Sequence, residues 1–341
     1  MKTFYIRGKD RLSAIYVGEK IDNIKKYLPH KNIIIITDEN VKKYYASRFP
    51  DYPIISIPLG EKTKNISTLE TIYHKLITIG ADRQTFILGI GGGIVCDIAG
   101  FVASTYMRGV KFGFIATTLL AQVDASIGGK NGVNFNSYKN MIGVFSQPEF
   151  VICDLSLLKT LPLKEIYNGF AEIIKYALIE KQDMFEYIES NFKKAINLNH
   201  EILIKLIIDS IKIKIDIVQK DEKETNKRQK LNFGHTIGHA LEKTANIEHG
   251  RAVSLGMVQA ANFSYAKGFI SKKQCKQIAS LLNKLNLPVS HNINGSLIID
   301  ALKKDKKRHE EIINFVFLKK IGASFIKKIS LNDLSNFIKN Q

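Results

Sequence analysis

Tryptophan is absent from this chain of 341 residues, and only seven residues are proline and three cysteine. With proline scarce and 45% of residues hydrophobic, extended disorder is excluded and a sizeable core is expected. The cysteines, Cys96, Cys153 and Cys275, are scattered, odd in number and form no CxxC pair. They make no disulfide framework, so the expected compartment is a reducing cytoplasm. No apolar run of signal-peptide length occurs in the first 20 residues. The nearest approach to a membrane span is 85–104, which Asp97 and five glycines interrupt. A buried strand passing through a glycine turn into a helix accounts for it better, so no membrane partner is expected.

Acidic residues are also in short supply: 32 against 50 Lys and Arg, a formal charge of +18. The basic excess is spread along the whole chain, much of it as Lys-Lys pairs, without a basic aromatic-rich motif. That distribution argues against a nucleic-acid partner, while a basic field still recruits an anionic substrate.

Two halves are legible. Short β-branched runs alternate with amphipathic stretches up to residue 160: strands are expected at 32–37 (NIIIIT), 53–58 (PIISIP), 85–90 and 112–117. A helix over 67–78 follows a Ser-x-x-Glu capping signal at Ser67. Residues 1–160 therefore read as an α/β domain with a mainly parallel sheet. From 161 to 341 helical periodicity dominates, at 171–181, 200–220, 234–245, 253–267 and 271–285, with one late strand at 312–318. This half is expected to be an all-α domain.

Chemistry concentrates in a few segments. Gly91, Gly92 and Gly93 follow an expected strand, where glycines let backbone approach a pyrophosphate at a helix N-terminus. The dinucleotide fingerprint itself is not met, since Ile94 stands at its third glycine, and a plain tight turn explains the run equally well. Asp38 with Asn40, and 60–64 (GEKTK), lie in loops after strands, placed for ribose hydroxyls and a phosphate or simply as exposed loop charges. Residues 117–134 set Asp124 and Lys130 among glycines, and Lys139, Asn140 and Arg108 look similar. Such groups suit phosphate or carboxylate contacts, with surface turns the alternative.

A metal site is the sharper expectation. His235 and His239 are four apart, hence on one helix face, and His249 follows closely. The zinc-protease motif is excluded, because Thr236 replaces its glutamate. Glu172, one turn before Lys175, sits in an apolar helix, where a carboxylate is costly unless paired or bound to metal. Spacing alone pairs His235 with His239 as ligands, against capping or core histidines. Lys214, Arg228 and the run 305–308 add cations that are either anion contacts or solvated faces.

In this order the segments resemble the 3-dehydroquinate synthases and their sister sugar-phosphate cyclases. The resemblance spans about 38–307 and rests on 58–64 (PLGEKTK), 91–97 (GGGIVCD), 117–134, 139–143 (KNMIG), 171–175 (AEIIK), 231–239 (LNFGHTIGH) and His249-Gly250. It implies an NAD-binding domain, a helical metal- and substrate-binding domain, a site between them and a homodimer. It assigns zinc, with cobalt an alternative, to Glu172, His235 and His249, which turns His239 from ligand into a proton-transfer group. NAD contacts fall on Asp38, Asn40, Glu61, Lys64, Gly91, Gly92, Gly93, Asp97, Thr117, Thr118 and Lys139. Substrate contacts fall on Asp124, Lys130, Asn140, Lys175, Lys214, Arg228, Asn232 and Lys306. Of these Lys130, Lys175, Asn140 and Arg228, with His239, are implied to be catalytic. Arg251 departs from the family, which commonly has Glu there, and Cys96, Ala116 and Asn131 replace common Gly, Pro and Thr.

The implied activity converts 3-deoxy-D-arabino-heptulosonate 7-phosphate to 3-dehydroquinate and phosphate, a step of the shikimate pathway to chorismate and the aromatic amino acids. A sister cyclase making another cyclitol and a metal-dependent polyol dehydrogenase are the competing readings.

Overall fold

Isoleucine-rich runs bounded by turn residues become buried parallel strands. The computed structural model describes residues 1–8, 11–29, 32–136, 138–306 and 312–340, which fall into two units. Unit 1 comprises Met1–Glu165 with Lys214–Lys223, and unit 2 comprises Ile166–Ile213 with Glu224–Gln341.

Nine strands lie in unit 1: β1 (Lys2–Arg7), β2 (Leu12–Val17), β3 (Ile33–Asp38), β4 (Ile54–Ile57), β5 (Phe86–Gly91), β6 (Lys111–Ala116), β7 (Lys130–Phe135), β8 (Tyr138–Phe145) and β9 (Phe150–Cys153). Seven form one sheet in the order β1-β2-β9-β6-β5-β3-β4, parallel except for the β1–β2 pair. Strands β7 and β8 make a separate antiparallel hairpin. Ile35, Leu88, Ile90, Ile115 and Ile152 form the buried centre of the sheet's packing. Their continuous apolar runs, without alternation, reflect a sheet covered on both faces.

The strand order decides where a ligand belongs. The chain runs from β3 outward to β4, then returns to the other side of β3 to lay down β5 and β6. The carboxyl ends of β3 and β5 therefore flank the point where strand order reverses, the usual ligand crevice of an open α/β sheet. Helix α1 (Glu39–Tyr45) begins at the end of β3, α2 (Ile66–Ile79) precedes β5 and α3 (Gly93–Thr105) follows it. The α2 cap is Asn65, whose side chain accepts from Thr68 N–H, rather than the expected Ser67. The helix starts earlier because Asn65 sits in extended backbone while Ser67 is already helical.

Unit 2 is helical: α4 (Leu163–Glu180, entering from unit 1), α5 (Gln182–Ile196), α6 (His200–Lys220, whose last turns belong to unit 1), α7 (His235–Ala245), α8 (His249–Ala266), α9 (Lys272–Lys284), α10 (Gly295–Lys306) and α11 (Leu331–Lys339). The all-α expectation needs one addition. The late strand, β10 (Ile312–Lys320), pairs with β11 (Ala323–Ser330) in an antiparallel hairpin. Phe315 and Phe317 of β10 pack their rings on Phe263 of α8, so the hairpin is an apolar cover for helices. No helix of the described residues is long and apolar enough to cross a membrane.

Glycines set how closely the metal-side helices approach. A side chain at Gly256 of α8 would meet the Gly234 carbonyl oxygen at 1.9 Å, and one at Gly250 the Asn168 Cα of α4 at 2.4 Å. Backbone-to-backbone packing at these two positions draws the start of α7, the start of α8 and the middle of α4 together.

Candidate active site

Three expected ligands converge in unit 2. Glu172 of α4 is fully buried, and its Oε1 lies 3.4 Å from His235 Nε2 and 3.3 Å from His249 Nε2. One ligand atom from each residue falls within 4.8 Å of the others, the arrangement of a small-cation site. Lys175, one turn on and equally buried, ion-pairs with the other carboxylate oxygen, Oε2.

Protonation sharpens the reading. His235 Nδ1 is 3.2 Å from the Phe233 carbonyl oxygen, which only accepts, so Nδ1 carries the proton. Burial, joined by the Lys175 charge, lowers the pKa of His235 and keeps the ring neutral. Its Nε2 lone pair then faces a carboxylate oxygen: two acceptors in contact, a conflict that a cation between them removes. Burial opposes the Glu172 charge, yet the Lys175 ammonium beside it, helped by the hydrogen bond from His249, outweighs burial and holds its pKa well below the usual range. For His249, burial is outweighed by Glu172 and Glu242, which raise the ring to about 9.

Glu242 is the site residue that the sequence reading missed. Buried on α7, its Oε2 is 3.9 Å from His249 Nδ1, on the far side of the ring from Glu172. A carboxylate there favours the His249 tautomer that offers Nε2 to a metal. The available signal was a Glu seven residues after His235, on the helix face that already carries His235 and His239. His239 is exposed, its ring 5.3 Å from that of His235 and 6.4 Å from that of His249. Its ligand atom groups with Glu242 and His249, not with Glu172 and His235.

The remaining unit 2 candidates are partly assembled by pairing. Arg228 is buried in a 3₁₀ segment, Lys227–Asn232, and Asn232 donates from Nδ2 to Glu224 Oε1 at 2.7 Å. Arg251 is exposed on α8. Lys306 ends α10 with its side chain outside the described residues.

In unit 1 the switch point carries the nucleotide-type candidates. Asp38 closes β3 and caps α1, accepting from Val41 N–H at 2.9 Å; Asn40 is exposed in the first helical turn. Burial raises the Asp38 pKa, and the backbone N–H bonds offset part of that rise. Gly91 ends β5, and Gly92 enters α3 with no side-chain cap, leaving first-turn N–H groups for an anion. Side chains at these positions would strike Val95 and Thr118, at 2.4 and 2.9 Å. Thr117, whose N–H donates to the Gly91 carbonyl, buries an Oγ1 without a hydrogen-bond partner. A buried orphan hydroxyl beside a glycine turn and an uncapped helix suits a dinucleotide phosphate or ribose. Thr118 accepts from Ala121 N–H.

Near it, Lys64 Nζ ion-pairs with Asp97 and donates to Asn140 Oδ1 at 2.5 Å. Burial raises the Asp97 pKa while Lys64 pulls it back. Glu61 is exposed in the turn before Lys64. Asp124 sits in a single π-helical turn, Ala121–Ala125, where its Oδ1 and carbonyl accept from Lys214 Nζ at 2.6 and 2.5 Å. Lys130 starts β7, and Lys139 and Asn140 lie exposed on β8.

Comparison with known proteins agrees with the fold. Residues 54–168 match the 3-dehydroquinate synthase N-terminal family and residues 169–308 the 3-dehydroquinate synthase C-terminal family. The chain belongs to the 3-dehydroquinate synthase family. A relative in Thermoanaerobacter pseudethanolicus, a 3-dehydroquinate synthase, is 42% identical over 97% of this chain and 98% of its own length. A 2-deoxy-scyllo-inosose synthase, solved with carbaglucose-6-phosphate, NAD+ and Co2+, superposes with a TM-score of 0.88 and 26% identity over 99% of this chain and 100% of its own. The 2-epi-5-epi-valiolone synthase of Streptomyces hygroscopicus subsp. jinggangensis, with NAD+ and Zn2+ bound, shares the fold at a TM-score of 0.89 and 23% identity over 98% of each chain.

Proposed function

We infer that this chain is a 3-dehydroquinate synthase, a carbon–oxygen lyase that cyclises 3-deoxy-D-arabino-heptulosonate 7-phosphate to 3-dehydroquinate and releases phosphate. The reaction is a transient oxidation, elimination of phosphate, re-reduction and intramolecular aldol closure. The observation that carries this reading is the convergence of Glu172, His235 and His249, with the buried Glu172 Oε1 at 3.4 and 3.3 Å from the two imidazole Nε2 atoms. A fixed cation is the simplest occupant of that arrangement. Zinc, or cobalt in its place, held by Glu172, His235 and His249 would acidify a substrate hydroxyl. NAD at the β3/β5 switch point would take a hydride and return it, so the cofactor is not consumed.

This chain's residues do the rest. Lys175 holds Glu172 ionised and presents a buried cation to developing negative charge. Arg228 and Lys214, both buried, and Lys130 suit the carboxylate and phosphate of an anionic sugar, and Asn140 and Asn232 its hydroxyls. Lys306 belongs to the same substrate set. Asp124 steadies the Lys214 ammonium. The exposed His239 suits the carrying of a proton to or from solvent. Asp38, Asn40, Glu61, Lys64, Asp97, Thr117, Thr118 and Lys139 serve the dinucleotide, with the glycine turn receiving its pyrophosphate. Three free cysteines suit the cytoplasm, and a homodimer completes the proposal.

Phosphate release tests it. Purified protein with zinc, NAD and the heptulosonate phosphate should release phosphate and form 3-dehydroquinate, lose both on chelation and recover with zinc. A folded, loaded protein that releases no phosphate contradicts the assignment and directs the search to other sugar phosphates.

A further inference from the structure

The hairpin β7–β8 is opened at one point, and the loop before α2 fills the opening. Pairing passes from Val133↔Ile142 to Phe135↔Tyr138, so Asn134 on one strand and 139–141 on the other fall out of the ladder. Such bulges re-aim side chains near functional sites. Asn134 turns instead to the Glu61–Asn65 loop, with which it makes an isolated bridge at Asn65. Its N–H donates to the Lys64 carbonyl at 2.8 Å, and its Nδ2 donates to Glu61 Oε1 at 2.8 Å. Its Oδ1 accepts from Asn140 N–H at 2.9 Å. Asn140 has a φ of 51°, a left-handed backbone that a non-glycine residue keeps only when its surroundings hold it. Lys64 closes the ring by donating to the Asn140 side chain while paired with Asp97.

The five residues thus form one connected set. Glu61, Lys64 and Asp97 belong to the nucleotide side of the proposed function and Asn140 to the substrate side; Lys64 reaches the Asn140 side chain, whereas Asn134 holds the Asn140 backbone N–H and the Lys64 carbonyl together. We propose that Asn134 is a positioning residue that couples dinucleotide binding to substrate binding, by clipping the backbone of Asn140 to the Glu61–Lys64 loop. Ordering that loop around a nucleotide orders Asn140 through Asn134, so the second ligand meets a site already set. The inference rests on the dinucleotide reading of Glu61, Lys64 and Asp97.

Isothermal titration of the full-length zinc-loaded protein tests it. The probes are NAD and a phosphonate analogue of the heptulosonate phosphate, in which carbon replaces the bridging oxygen and blocks elimination. Saturating NAD should tighten analogue binding about tenfold in the wild type, within the usual range of coupling between sites. In Asn134→Ala, NAD alone should bind within about threefold of wild type, while the tightening factor falls to about one. Asn134→Asp is the second variant: nearly isosteric, it keeps an acceptor for Asn140 N–H but sets like charge against Glu61, and it should lose the coupling too. A merely structural role would lower melting temperature and weaken both ligands without changing their ratio. A wild-type tightening factor retained in either folded variant overturns the proposal, as does a wild type that binds NAD without any tightening. A wild type that binds no NAD overturns the dinucleotide reading as well.

Discussion

Single atoms carry much of the chemistry. Glu172→Gln keeps the shape of the side chain but removes the anion between two imidazoles, one of them neutral. Zinc affinity, read by chelator competition, should fall by at least the ~10–100-fold typical of losing even an outer partner. Proton competition gives a pH signature. His249 must lose its proton to bind metal, and in the metal-free protein that proton is held up to about 9. The apparent zinc affinity should therefore drop by roughly tenfold per pH unit as pH falls below that value, levelling off above it. A flat profile between neutral and alkaline pH would show that His249 is not a ligand. Thr117→Val offers a cleaner separation of roles. The Oγ1 it removes is buried and unpaired in the protein itself, so the melting temperature should hold or rise. NAD affinity should fall if that hydroxyl meets the dinucleotide, and unchanged affinity would remove Thr117 from the site.

At the scale of elements, the site depends on how closely helices approach. Gly250 puts the first turn of α8 against Asn168, one turn before Glu172 on α4. Gly250→Ala should cost about 1–3 kcal/mol in a thermal or urea melt, and weaken zinc binding as His249 is pushed from Glu172. Zinc binding kept intact despite the lower stability would show that the ligands are positioned by something else. These approaches also explain what was legible beforehand. Apolar runs such as 32–37 and 85–90 gave strands to within a residue or so, because a sheet covered on both faces writes itself as continuous β-branched sequence. The helix over 200–220 was equally clear. The hairpin β7–β8 was not, since its alternation is broken by glycines and by the bulge at Asn134. The short first strands and α5 were also missed, and β11 reads as an amphipathic stretch whose partner only tertiary pairing reveals. At the site, spacing favoured His235 with His239. Helical spacing reports a shared face but says nothing of a carboxylate arriving from α4, so it could not choose between His239 and His249.

For the molecule as a whole, the formal charge of +18 has a kinetic consequence. A basic surface should speed encounter with a doubly anionic sugar acid, so kcat/KM should fall as salt rises while kcat stays nearly constant. A kcat/KM indifferent to ionic strength would mean that the surplus lysines play no part in recruitment. The fold alone does not separate a cyclase from a polyol dehydrogenase, since each combines a dinucleotide with a metal; what separates them is the fate of the hydride. The most direct measurement follows phosphate, 3-dehydroquinate and NADH absorbance together, with the zinc-loaded protein, the heptulosonate phosphate and only catalytic amounts of NAD. Phosphate and 3-dehydroquinate should accumulate far beyond the NAD supplied, with no lasting NADH. NADH rising in step with substrate consumed, without phosphate release, would contradict the assignment and mark the chain as a dehydrogenase.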